Sequence, residues 1–355
     1  MRNKLSHWFH NRFRHHEAQL HELSYLFWEC TQRCNLNCRH CGSDCTAAAD
    51  VADMPFDDFL NAILPLKKLY KPNTITVAIT GGEPLLRPDL AQCGKALRAN
   101  GFRWGIVTNG FAYTADVHTA LLSAGMGAVT LSLDGLEASH NHLRANPNSF
   151  NNAVRALDLI TSSSHLFYDV VTCVNAGNIA ELPQLKEFLI SKNVRAWRLF
   201  SIAPIGRAKG NSELQLSNQQ TRKLMEFIAQ SRTNKRIDIK FSCEAYVGQY
   251  EKKVRDSYFF CRAGINIASI LIDGSISACP NINRHFVQGN IYNNSFTDVW
   301  EHQFGMMRNR EWTKTGICRT CKDYKNCNGG AMHLWNERQN CIMTCINQRI
   351  IVSKK

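Results

Sequence analysis

The stretch Ile75-Thr76-Val77-Ala78-Ile79-Thr80-Gly81-Gly82-Glu83-Pro84-Leu85-Leu86-Arg87-Pro88 decides the fold. Its first five residues are a β-branched apolar run, the pattern of a buried strand. A glycine-marked loop follows. Pro88–Ala99 then reads as a helix, with Pro88 suited to a first helical position and Gly101 to a stop after the last turn. Trp104–Val107 is the next apolar run. Strand, loop, helix and strand in about 30 residues make a parallel βαβ unit.

The same unit recurs on both sides. Strands are expected at Tyr25–Cys30, Ile75–Ile79, Trp104–Val107, Ala128–Leu133, Tyr168–Val174 and Ala196–Phe200. Helices are expected at Pro55–Leu69, Pro88–Ala99, Ala115–Ala124, Phe150–Ser162 and Ala180–Ser191. These units are too few for a closed eightfold barrel. They predict an α/β protein with an open, partial (β/α)6 TIM-like barrel over residues 24–205, its active face at the C-terminal ends of the strands. Residues 1–23 read as a basic, His-rich helical segment. Residues 206–260 read as a connector with a helix Asn218–Ser231 behind a Ser217/Gln220 capping box and a strand Asp238–Ser242. Residues 261–355 turn to Cys, Asn, Gly and Arg with short elements, a small domain organised by ligands instead of by a large core.

The chain has 355 residues and 15 cysteines. Folding at this length buries roughly 75% of the chain's surface, so no disulfides are needed to hold it. Five cysteines fall between Cys30 and Cys45 and five between Cys318 and Cys345. Such clusters read as metal or cofactor ligands. No apolar run is long enough to cross a membrane, and the N-terminus lacks the apolar core of a signal peptide, so a cytoplasmic location is expected. The net charge of +13 favours an anionic partner. No zinc-finger, RNA-binding or helix-turn-helix signature accompanies it, which argues against nucleic acid. Leu5, Trp8, Phe9, Phe13 and Leu20 recur near helical spacing, so the N-terminal helix suits packing on its own domain or peripheral contact with anionic lipid.

Cys34, Cys38 and Cys41 follow the first strand at x3 and x2 spacing. Three thiolates in one loop can wrap an iron–sulfur cluster and leave one iron open to a non-protein ligand; they make a poor closed zinc site. Thr80–Pro84, Thr108-Asn109-Gly110 and Ser132-Leu133-Asp134-Gly135 each end a strand. Gly81 and Gly82 allow close backbone approach. Glu83 and Asp134 offer carboxylates to an ammonium or to ribose hydroxyls, and Arg144 offers a fork for a carboxylate. Together they describe a pocket for a zwitterionic amino acid joined to a nucleoside.

These residues resemble the motifs of the radical S-adenosylmethionine (SAM) enzymes. The CxxxCxΦC loop of that family matches Cys34, Cys38 and Cys41 with His40 at the aromatic position; its GGE motif matches Gly81, Gly82 and Glu83; its Ser and Arg match Ser132 and Arg144. Pro204-Ile205-Gly206-Arg207 is similar to a later family loop, with Ile205 packing on adenine. The resemblance implies a [4Fe–4S] cluster that binds SAM and a 5′-deoxyadenosyl radical that abstracts a substrate hydrogen. The C-terminal cysteines are similar to the SPASM extension, which implies one or two auxiliary [4Fe–4S] clusters. The outer one would use Cys318, Cys321, Cys327 and either Cys345 or Cys341. The inner one would use Cys261 and Cys279, but Ala331 stands where the family has a further cysteine. Three readings of the inner cluster stay open: it is absent, it persists with Cys341 or a histidine (His285 or His333), or it has an open iron. Cys173 reads as a hydrogen-atom donor to a substrate radical or as inert core. SPASM-bearing relatives imply a peptide or protein substrate, acidic in part, modified by crosslinking, epimerisation or oxidation, and a flavodoxin- or ferredoxin-type electron donor. The alternatives are a small-molecule or tetrapyrrole substrate, or a non-catalytic iron–sulfur electron-transfer protein.

Overall fold

The computed structural model describes residues 2–49, 51–242, 244–336 and 339–351. Seven parallel strands run side by side in chain order: β1 Tyr25–Glu29, β2 Thr76–Thr80, β3 Arg103–Thr108, β4 Ala128–Ser132, β5 Phe167–Val174, β6 Ala196–Ser201 and β7 Asp238–Phe241. β7 lies parallel to β6, so the segment expected as a connector supplies a seventh strand. Beyond β1 the sheet continues. β8 Ile267–Ile270 pairs parallel to β1, and β9 Ser275–Ser277 and β10 Gly289–Asn290 follow antiparallel. The result is one open sheet of ten strands that reaches from the barrel into the C-terminal region.

The helices are α1 Arg2–Leu20, α2 Phe56–Ile63, α3 Leu90–Ala99, α4 Ala115–Ser123, α5 Glu137–Arg144, α6 Ser149–Thr161, α7 Leu182–Ser191 and α8 Asn218–Ser231. Three differ from expectation. The helix expected to Leu69 ends at Ile63 and tightens into a 3₁₀ turn over Leu64–Lys68. Pro65 explains this, because it has no N–H for the α-helical ladder. α3 starts at Leu90 with Asp89 before it, so Pro88 precedes the helix and does not open it. α5 was not foreseen: its inward residues are His140, Leu143 and Arg144, which give no apolar periodicity.

The core lies between the sheet and the helices. Trp28 of β1 stacks on Phe59 of α2 with ring centroids 4.6 Å apart. Trp104 of β3 fills the space beside Gly94, where a Cβ would stand 2.1 Å from its ring, so α3 can lie close on the sheet. α1 packs on the C-terminal region. The buried Arg14 donates to the carbonyls of Lys325 (2.6 Å) and Asn326 (2.8 Å), and Arg262 pairs with Glu17 at 2.6 Å. The opposite side of α1 exposes Leu5, Trp8, Phe9, Phe13 and Leu20. No helix among the described residues is long and apolar enough to cross a membrane.

Candidate active site

The cysteine loop leaves the end of β1 and folds over the neighbouring strand. A Cβ on Gly81 would stand 2.2 Å from the carbonyl oxygen of Thr31, and one on Gly82 would stand 2.2 Å from that of Arg33. Their amide neighbours close the contact, Gly82 N–H to Thr31 O at 2.8 Å and Glu83 N–H to Arg33 O at 2.9 Å. The two glycines therefore seat the cysteine loop on β2. Cys34 and Cys38 are buried, Cys41 is half-buried, and they pack with Leu36, Cys45 and Phe111. Burial pushes the Cys34 thiol up to about 11, and the nearby Cys38 and Cys41 sulfurs add to the shift. A hydrogen bond from Cys45 holds the Cys41 thiol below its ordinary range. Arg207 clamps the loop from the far side: its Nε donates to Cys38 O at 2.7 Å and its N–H to Cys41 O at 2.9 Å.

The strand ends gather beside this loop. Glu83 is fully buried and its carboxylate accepts from Thr108 Oγ1 and from Asn109 N–H, both at 2.8 Å. Burial pushes it up to about 7. Asn109 Nδ2 donates to Asn35 at 2.8 Å and lies 3.9 Å from Cys34 Sγ. Ser132 is half-buried at the end of β4. Asp134, two residues on, pairs with Arg144 Nε at 2.6 Å, and Arg144 Nη1 reaches Cys38 Sγ at 3.6 Å. Burial opposes the charge of Asp134, yet Arg144 holds the carboxyl below its ordinary range. His40 Nε2 is 4.0 Å from Asp134, its Nδ1 is buried without a partner, and burial lowers it to about 4. Cys173 donates its backbone N–H to Asp134 and packs against Leu143, Ile202, Ala208 and Leu214.

The C-terminal cysteines form a second thiol group. Burial pushes Cys318 up to about 11 and Cys327 to about 12, and in each case the Cys345 and Cys321 sulfurs push further. Cys345 is raised by burial and by Cys321. Cys341 lies apart: its Sγ is 3.7 Å from Gln339 Oε1, in a short hairpin with Trp335–Asn336. The geometry thus favours Cys345 over Cys341. Among the described residues, only His40, Asp134 and Cys173 bring three ligand atoms within 4.8 Å of one another. A single zinc ion with thiolates at about 2.3 Å would draw its sulfurs to roughly 3.8 Å apart. Both thiol groups are therefore too open for one ion, and several sulfurs that raise one another suit a polynuclear cluster.

Between the two groups lies a cleft of about 480 Å³. Gly42, Ser43 and Ile205 line it from the barrel side, and Asn281, Asn283 and His333 from the C-terminal side. Ile205 Cδ1 sits 3.3 Å from where a Cβ on Gly42 would be, so the loop after β6 closes directly on the cysteine loop.

Residues 28–189 match the radical SAM superfamily, and residues 261–322 match SPASM, an iron–sulfur cluster-binding domain. The chain carries a radical SAM domain followed by a SPASM domain. It is 28% identical to the mycofactocin maturase MftC of Mycobacterium tuberculosis over 310 residues, 86% of this chain and 78% of MftC. It is 25% identical to the AdoMet-dependent heme synthase of Methanosarcina barkeri over 322 residues, 86% of this chain and 90% of that protein. Two solved structures share the fold. Streptococcus suis SuiB bound to S-adenosylmethionine gives a TM-score of 0.68 at 18% identity, covering 87% of this chain and 73% of SuiB. Native anSMEcpe with bound AdoMet gives 0.67 at 17%, covering 88% and 90%.

The protein is a radical SAM enzyme that uses a [4Fe–4S] cluster, SAM and auxiliary iron–sulfur binding in its SPASM domain. Cys34, Cys38, Cys41, Asn109, Asp134, Arg144, His40 and Ile205 meet at one mouth of this radical SAM barrel. Cys173 does not line the cleft, but its thiol lies within 4.8 Å of the ligand atoms of His40 and Asp134 at the mouth. Two residues of the mouth had no assigned role in the sequence. Arg207 closes the loop recognised at Pro204–Arg207 but was given no role there, and its charge was the available signal. Cys45 lies four residues past Cys41, but nothing local shows that the chain turns its thiol back onto Cys41.

Proposed function

We propose that this radical SAM enzyme modifies a residue of a peptide or protein substrate by crosslinking, epimerisation or oxidation. In this reading Cys34, Cys38 and Cys41 hold the SAM-binding cluster, and Cys318, Cys321, Cys327 and Cys345 hold an outer auxiliary cluster. The cleft carries the proposal. It lies between the mouth and the SPASM segment, and Gln32, Asn281, Asn283 and Asn336 give it amide groups on both walls that suit a peptide backbone. MftC, a named peptide-cofactor maturase among the relatives, supports the same class.

When bound, the cluster and SAM supply a 5′-deoxyadenosyl radical that takes a hydrogen atom from the substrate. The chain's own residues bind and orient. Arg144, Ser132 and Asn109 supply donors for the SAM carboxylate, and Glu83 a carboxylate for its ammonium. Asp134 fixes the fork of Arg144. Ile205 and His40 form the wall on the nucleoside side. Lys209 lines the cleft with no ion-pair partner among the described residues, which suits an acidic side chain on the substrate. A flavodoxin- or ferredoxin-type protein supplies the electron. A second reading, a tetrapyrrole or other small carboxylate-bearing substrate, is favoured by the heme synthase relative and by two cations, Lys209 and Arg284, on the cleft lining.

The test is anaerobic reconstitution followed by dithionite and SAM. Formation of 5′-deoxyadenosine is expected, and its absence with Cys34, Cys38 and Cys41 intact would sink the catalytic reading. Deuterium passing from labelled acidic peptides into 5′-deoxyadenosine supports the peptide class. Transfer from a labelled tetrapyrrole, with none from peptides, favours the second reading.

A further inference from the structure

We infer that the SPASM domain of this chain holds one auxiliary cluster, and that a buried arginine, Arg310, fills the place of an inner one. Cys261, Arg310 and Ala331 carry this inference, whatever the substrate is.

An inner cluster would need ligands around Cys261 and Cys279. A [4Fe–4S] cluster normally takes four. The position of a third is Ala331, which is fully buried in the apolar core. Arg310 crosses this space. Its Nε donates to Met307 O at 3.1 Å, its Nη1 to Gly330 O at 3.0 Å and its Nη2 to Cys261 O at 3.3 Å. It also hydrogen-bonds the Cys261 thiol. The guanidinium therefore ties together the two segments, around 261 and 330, that would otherwise present ligands to a shared cluster. It has five donors and no lone pair, so it cannot itself be a ligand.

The other side chains that could complete the set point elsewhere. His285 is exposed. His333 faces the cleft between the barrel and the SPASM segment. Cys341 contacts Gln339 in its hairpin. The contrast with the outer group is direct. There Cys318, Cys321 and Cys345 all act on Cys327, whereas Cys261 faces Arg310 and the backbone N–H groups of Ala263 and Met332. The outer group is built to receive iron; the inner position is already satisfied by protein.

The test uses the full chain, reconstituted anaerobically. Iron and acid-labile sulfide should each come to about 8 per chain, at four per cluster; about 12 of each would overturn the inference. Cys261→Ser should leave the iron content and the EPR signals of the reduced protein unchanged, and a specific loss of about four irons would count against it. Should that variant fold poorly, the triple variant C34A/C38A/C41A gives a second reading: about four irons remaining are expected, and about eight would overturn the proposal.

Discussion

A methyl group at position 82 would stand 2.2 Å from the carbonyl oxygen of Arg33, a backbone atom with no freedom to yield. Gly82→Ala should therefore unseat the cysteine loop from β2. The expected result is a chain that folds and keeps its outer-cluster iron but loses about four irons at the barrel mouth, counted after reconstitution. Glu244 makes a different prediction. It is fully buried, bonded to Ser201 Oγ at 2.7 Å, and burial raises its carboxyl from 4.5 to about 7. The unfolded chain releases this proton near pH 4.5 and the folded chain holds it to about pH 7. Its contribution to stability is therefore full below about 4.5 and is lost as pH rises to about 7, a fall of about 3 kcal/mol. Glu244→Gln cannot ionise, so its thermal midpoint should decline less than the wild type's between pH 5 and pH 7.5. Equal slopes would count against the assignment. At this scale, what could be read from sequence was what a motif holds within a few residues: Cys34, Cys38, Cys41 and the Gly81-Gly82-Glu83 run. The partners of Cys41, of Cys38 O and of Cys261 were not readable, because Cys45, Arg207 and Arg310 reach them only after turns and long returns of the chain.

Among the elements, β1–β6 were legible as apolar runs closed by a loop and β7 as a short strand, whereas β8–β10, of two to four residues each, leave no run long enough to read. α5 was not, because its buried face carries His140 and Arg144, which the site requires and which erase the usual apolar stripe. α1 shows a third case. Its basic, aromatic sequence suited packing on its own domain or contact with lipid, but did not show where it packs: Arg14 fastens it to the carbonyls of Lys325 and Asn326, directly before Cys327. This contact would support Cys327, a ligand in the proposed outer cluster, from outside the metal's immediate surroundings. Loss of such support typically costs 10–100-fold in metal affinity. Arg14→Ala should let a chelator strip the outer iron roughly tenfold faster while the barrel cluster keeps its rate. Unchanged release would show that α1 only covers the surface.

For the molecule as a whole, the continuous sheet matters more than any boundary within the sequence. β8 pairs with β1, and Ile272 N–H donates to Glu29 Oε2 at 3.0 Å, so the C-terminal region hydrogen-bonds to the strand that carries the cysteine loop. A chain cut after residue 260 would expose the edge of β1. It should aggregate on size exclusion and retain no cluster at Cys34, Cys38 and Cys41, since an unpaired inner edge is a template for association. A soluble, iron-loaded fragment would show that the barrel stands alone. The same pairing sets an order in time. β1 leaves the ribosome early, but its partner β8 begins about 240 residues later, which at typical synthesis speeds of about 5–20 residues per second is a delay of roughly 12–50 s. For that interval the first cysteine loop hangs from a strand paired on one side only. Delivery of iron and sulfide to it therefore belongs after translation has passed residue 270, when the last neighbour of β1 has arrived.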